Sequence, residues 1–190
     1  MRESSFPVKI FLLGFTGFAI WSAVTGGFEL PAVASGNTQN TSASGSCSGI
    51  TVASPEYSGA TSDKFPKGNP GRASDEELDG WIRAALCVMD QEGIPGSYDG
   101  IHRNMIRESG GNPGICNDWD INWQNGVPSC GLLQTIEPTF NANKLPQSAF
   151  DEAGVSADAD DVFDPVANLV AACAYAANRY GSIDNVNGPY

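Results

Sequence analysis

Apolar residues recur every three or four positions in three separate stretches of the C-terminal two thirds of the chain, the spacing that lines one face of a helix. In the first, Leu78, Trp81, Ile82, Ala85, Leu86 and Met89 follow Ser74 and Glu77, whose three-residue separation predicts a capping box; Gly93 and Pro95 end the helix. A second helix is expected over Tyr98–Glu108, with Ile101, Met105 and Ile106 inward and Gly110-Gly111 as its stop. A long polar loop, Asn112–Ser129, then carries Trp119 and Trp123 and has room for a small hairpin. A third helix is expected from near Gly131 (Gly-Leu-Leu-Gln-Thr-Ile), with Pro138 interrupting it or starting the next turn. Asp164 as cap and Pro165 in the first helical position open a closing helix. Its inner face is Val166, Leu169, Val170, Cys173, Ala177 and Tyr180, and Gly181 ends it. Alternating β patterns are scarce, so residues 73–190 read as one mainly α domain.

The first 72 residues read differently. Ile10–Val24 is almost wholly apolar, shorter than the roughly 20 residues that span a bilayer. Residues 1–34 therefore suit a signal peptide, with Ala32-Val33-Ala34 offering small side chains for cleavage before Ser35. The length of the Val24–Ala34 stretch and Glu29 within it keep a second reading open, an uncleaved N-terminal anchor. Either one puts the rest of the chain outside the membrane. Residues 35–72 are rich in Ser, Gly, Thr, Asn and Pro and hold no apolar period, which predicts a flexible linker.

The chain carries 10 Lys+Arg against 22 Asp+Glu, a net charge of −12. Arg2, Lys9, Glu3 and Glu29 cancel, so the deficit stays with residues 35–190. Nucleic acid is excluded as a partner, because phosphate binding runs on cationic side chains that release counterions. A wall polymer would have to be recognised through hydrogen bonds and stacking to neutral sugar groups. The five cysteines point to an oxidising compartment. The preferred pairing is Cys116–Cys130, closing a short loop, with Cys87–Cys173 tying the first helix to the last and Cys47 left over. Neither their spacing nor the single His102 suits a metal site.

Glu108 is the carboxylate of interest. It falls on the last turn of its helix, where the unpaired carbonyls disfavour a second negative charge. A carboxylic acid on a cleft wall is what glycosidic bond cleavage requires as general acid. The plain alternative is a solvated helix-end residue paired with Arg107 or Arg103. Asp118 and Asp120 lie in the polar loop; one of them as a base about 6.5–9.5 Å from the acid would make an inverting hydrolase. The favoured expectation is that they bond the loop's own backbone. Asp118, Asp120 and Asn122 alternate like the start of a calcium loop, but Trp123 stands where glycine is needed. Asp158, Asp160 and Asp161 read as a solvated loop ahead of the Asp164 cap. Trp119 and Trp123 are equally suited to packing the loop or to stacking on sugar faces. A Cys–His peptidase would need His102 to meet Cys116 or Cys130, which the pairing of those cysteines opposes.

Arg107-Glu108-Ser109-Gly110-Gly111-Asn112-Pro113, followed by Gly131-Leu132-Leu133-Gln134-Thr135-Ile136, resembles the motif pair of the soluble lytic transglycosylases, which share a fold with goose-type lysozyme. Asp164-Pro165, Asn168-Leu169, Tyr175 and Tyr180-Gly181-Ser182 resemble the family's closing helix. The resemblance spans about residues 78–190 and implies a lysozyme-like domain acting on peptidoglycan glycan strands without cofactor or metal. It implies Glu108 as single acid/base, with Ser109 steadying the helix end or bonding near the acid. Gly131, Leu133 and Gln134 would line the substrate side, and Tyr175 would lie close to Glu108. The family's Ala-Tyr-Asn motif after the closing helix is missing here, leaving Tyr190 or Tyr175 in its place. The alternatives are a hydrolytic muramidase and a wall-glycan-binding protein that does not cut.

Overall fold

The computed structural model describes Cys47 and residues 49–188. The expected signal peptide or anchor over 1–34, and Tyr190, lie outside the described residues. Among the described residues, six α-helices and one two-stranded hairpin follow in chain order: α1 (Asp75–Gln91), α2 (Tyr98–Ser109), α3 (Ile121–Gln124), β1 (Ser129–Cys130), β2 (Thr135–Ile136), α4 (Glu137–Asn143), α5 (Gln147–Ala153) and α6 (Pro165–Tyr180). The fold is mainly α, as the apolar spacing predicts.

Helix α1 begins at the capping box. Ser74 Oγ accepts from the Glu77 amide, and the Glu77 carboxylate accepts from the Ser74 amide at 2.8 Å. Its inner stripe, Leu78, Trp81, Ile82, Ala85 and Met89, is buried. Helix α6 is the central element, with every residue from Pro165 to Cys173 buried. It packs on α1 and α4, and a 3-10 turn at Ile183–Asn185 closes over α2 and α6. Asp164 caps it by accepting from the Ala167 amide at 2.9 Å. Burial pushes the Asp164 carboxyl above the ordinary range, against the pull of its backbone hydrogen bonds. Three inner-face expectations shift: Ile106 and Tyr180 are exposed, and Ala176 rather than Ala177 is fully buried.

Three expectations need correction. The helix expected from Gly131 is a hairpin turn: Ser129 pairs with Ile136 and Cys130 with Thr135, and the helix starts only at Glu137, with Pro138 in its first turn. Gly131 at φ 80° and Gln134 at φ 46° take left-handed backbone that no helix allows. Next, the linker reading of 35–72 gives way from Cys47 onward. Ile50 and Val52 pack against the core, and the Ala53 carbonyl accepts from Trp81 Nε1 at 2.6 Å. Tyr57 donates its hydroxyl to the Phe163 carbonyl at 2.8 Å, Lys67 pairs with Asp161, and the Lys64 carbonyl accepts from the Cys116 amide at 2.8 Å. The segment is a strap with almost no regular structure, so periodicity gives no sign of its docking.

The third correction is the disulfide pairing. Cys116–Cys130 forms as expected, but Cys87 bonds Cys47, and Cys173 is a free thiol buried in α6. The Cys47 amide donates to the Ala153 carbonyl at 2.9 Å, so this end of the strap is tied to α5 as well as, through the disulfide, to α1. Burial pushes the Cys173 thiol well above its ordinary range, so it stays protonated and inert. Among the described residues, no helix is long and apolar enough to cross a membrane, and no group of three His, Cys, Asp or Glu is placed to hold a metal.

Candidate active site

Helix α2 ends where Gly110 turns left-handed at φ 64° and its amide closes on the Ile106 carbonyl. That stop leaves Glu108 on the last turn, with only 18% of its side chain exposed. Its carboxylate forms one wall of a cleft of about 310 Å³. The hairpin forms a second wall with Ser129, Gln134, Thr135 and Ile136, the loop contributes Asn117, Asp120 and Asn122, and α4 and α6 bring Thr139, Ala172 and Tyr175. Glu108, Gln134 and Tyr175, far apart in sequence, thus share one cleft. Asn117, Asn122, Ser129 and Thr139 line it too, although the motif pair does not include them, and so does Thr135 from within the Gly131–Ile136 stretch; their shared signal is a short polar side chain within or after the loop that follows α2.

Glu108 has a charged neighbour. Arg107 Nε donates to its Oε1 at 3.3 Å, so the expected pairing is present together with the cleft setting. The same guanidinium donates to the Asn104 side-chain oxygen and, at 2.9 Å, to the Gly188 carbonyl. Arg107 is thereby fastened from two sides and holds the carboxylate in place. Arg103 is used elsewhere, donating to the Asp184 carbonyl at 3.0 Å.

Of the other residues expected to bind substrate, Ser109, Leu133 and Gly131 make their contacts within the scaffold. Ser109 does not reach into the cleft: its hydroxyl donates to the Met105 carbonyl at 3.1 Å and accepts from the Gly111 amide at 3.2 Å. Leu133 is fully buried in the core. Gly131 admits a neighbour rather than a sugar. A Cβ there would stand 2.4 Å from Asn168 Nδ2 and 2.7 Å from the Val162 carbonyl. Buried Asn168 docks the turn on α6, accepting from the Leu133 amide at 2.8 Å and donating to the Cys130 carbonyl at 3.2 Å. Gln134 lines the cleft but its amide nitrogen is spent on the Ile115 and Gly131 carbonyls, at 3.0 and 2.9 Å.

The disulfide Cys116–Cys130 clamps the base of the loop, so the cleft residues Asn117 and Ser129 flank a covalent bond. It also ends the Cys–His peptidase reading, and His102 stacks on Tyr98 instead. Asp120 lines the cleft, yet its Oδ1 accepts from the Trp123 amide at 2.9 Å and caps α3, as the backbone-bonding expectation has it. Trp81 belongs to the core, whereas Trp119 and Ile121 stand 75% and 63% exposed on the cleft loop. The acidic loop before α6 is exposed at Asp158 and Asp160, as expected, and Lys144 bridges to Asp160; Asp161 is partly buried and pairs with Lys67.

Residues 100–189 match the family model described as Transglycosylase SLT domain. A Bacillus subtilis (strain 168) protein described as uncharacterized protein YqbO is 47% identical over 109 residues, covering 57% of this chain. The chain spans only 6% of that relative's length. No solved structure matches the chain. The helix end at Glu108 and the turn opposite it both fall inside the matched segment, so it is the part of the chain carrying the cleft, residues 100–189, that is similar to the transglycosylase SLT domain family.

Proposed function

We propose that the protein is a secreted peptidoglycan lytic transglycosylase with Glu108 as its single acid/base. The observation that supports this reading best is a largely buried carboxylate in the wall of an otherwise mostly uncharged polar cleft. Such a lining suits neutral sugars, and it matches a chain whose overall charge would repel an anionic polymer. Protonated Glu108 gives its proton to the oxygen linking N-acetylmuramic acid to N-acetylglucosamine, and that bond breaks. The resulting carboxylate then takes the proton of the C6 hydroxyl of the same muramic acid as its oxygen closes on C1. A 1,6-anhydromuramoyl end forms, Glu108 regains its proton, and no water is consumed. Gln134 shapes the opposite wall, and Tyr175 contributes from α6.

Two disulfides among the described residues agree with an oxidising location outside the cytoplasm, where the substrate lies. One observation favours a second reading, a hydrolytic muramidase: Asp120 shares the cleft with Glu108. Its commitment to capping α3 weighs against service as a base.

Mass spectrometry of muropeptides released from purified peptidoglycan separates these readings. Fragments one water lighter than hydrolysis products are expected. Their release should fall by about 10²- to 10⁴-fold in Glu108→Gln, the usual contribution of a positioned acid or base. Reducing ends would instead identify the muramidase. Binding without release by the unsubstituted protein would leave a glycan-binding protein.

A further inference from the structure

Thr135 is only 4% exposed, and among the described residues its Oγ1 is the one buried side-chain polar atom with no hydrogen-bond partner. It lines the same cleft as Glu108. The neighbouring polar groups are already committed. Gln134 spends its amide on two carbonyls, Ser129 donates to Gln134 Oε1 at 3.5 Å, and Asn168 serves Leu133, Cys130 and Val162. Nor can the backbone relax away from the position. Thr135 is paired in register with Cys130, which is covalently tied to Cys116, and it follows Gln134 in its left-handed conformation. A buried hydroxyl without a partner weakens the free protein. Valine has the same shape without that penalty, so packing alone gives no reason for threonine here.

We infer that the Thr135 hydroxyl is a substrate-binding group, which bonds a neutral hydroxyl or acetamido group of the sugar seated beside Glu108. The inference rests on the glycan reading above. Threonine is branched at Cβ, so one χ1 step exchanges Oγ1 with the methyl and turns the hydroxyl without moving the strand. A hydroxyl both donates and accepts, and the two candidate sugar groups offer both complements.

The test compares the unsubstituted protein with Thr135→Val and Thr135→Ser, measuring Tm and muropeptide release from purified peptidoglycan. Pelleting with peptidoglycan measures binding separately, for Glu108→Gln with and without Thr135→Val. Valine should leave Tm unchanged or raised while kcat/KM falls about two- to twelvefold, the worth of one neutral hydrogen bond. Serine should recover most of that loss, and glycan binding in the Glu108→Gln background should weaken with valine. On de-N-acetylated peptidoglycan the deficit disappears if the acetamido group is the partner and persists if a sugar hydroxyl is. A lower Tm with valine would overturn the inference, because the hydroxyl would then be bonded within the free protein. Equal rates and equal binding would overturn it too. If the unsubstituted protein releases nothing, the enzymatic reading fails, and the binding comparison alone decides the role of Thr135.

Discussion

At the scale of single residues, the cleft depends as much on side chains that never face it as on those that do. Gly131 illustrates this, since its left-handed backbone and the Asn168 amide pressed against it leave no room for a methyl group. Gly131→Ala should destabilise the domain by at least about 1–2 kcal/mol from the backbone alone, with the steric clash in addition. Chemical denaturation should show the loss, and an unchanged midpoint would mean that the turn can reopen without cost. The motif stretches contain Gly131, Leu133 and Ser109, and the contacts these three make in the structure lie within the scaffold. A motif records which residues matter together, and a side chain bracing the wall looks the same in sequence as one touching the sugar. Thr135 shows the converse. It sits within the quoted stretch, yet its unmet hydroxyl becomes visible only once the neighbouring partners are counted.

At the scale of elements, the three periodic helices were legible because their ends carry their own chemistry: Ser74 with Glu77 opening α1, the Gly110 stop of α2, and Asp164 with Gly181 bounding α6. The hairpin was not legible. Its strands are two residues long, too short to display an alternation, and Leu132 and Leu133 mimic a helical face. The strap was hidden for another reason. It buries few large side chains and is held by backbone carbonyls, a disulfide and single hydrogen bonds, none of which leaves a period. Replacing Cys47 and Cys87 together with serine reopens a loop with a sequence separation of 40 residues. Chain entropy puts that loss at about 4 kcal/mol. Native-state hydrogen exchange should then quicken over 49–57 and at Trp81 Nε1, whose acceptor lies on the strap. Protection that stays unchanged would show that the docked contacts suffice by themselves.

Over the whole molecule, titration links the strap to the body of the fold. Tyr57 is half-buried and donates to the Phe163 carbonyl, and burial, followed by the nearby Asp161 and Asp164, pushes its phenol well above the usual 10.0. Because the folded value is the higher one, the folded protein holds this proton more tightly than the unfolded chain does. The associated stability is complete below pH 10 and is lost as pH rises above it. Tyr57→Phe should cost about 1 kcal/mol of stability at neutral pH through the lost hydrogen bond, and so lower Tm. It should also flatten the fall in stability above pH 10, a comparison that thermal melts across pH 8 to 11 would read. Equal slopes in the two proteins would show that other groups control alkaline unfolding.

The disulfides join cysteines that are consecutive along the chain: Cys47 to Cys87, then Cys116 to Cys130, with Cys173 last and unpaired. For a chain delivered N-terminus first into an oxidising space, each cysteine meets its proper partner before any wrong one has emerged. Order of arrival alone then yields the native set, with no call on an isomerase to reshuffle it. The last thiol arrives when no free partner is left, and it withdraws into the central helix.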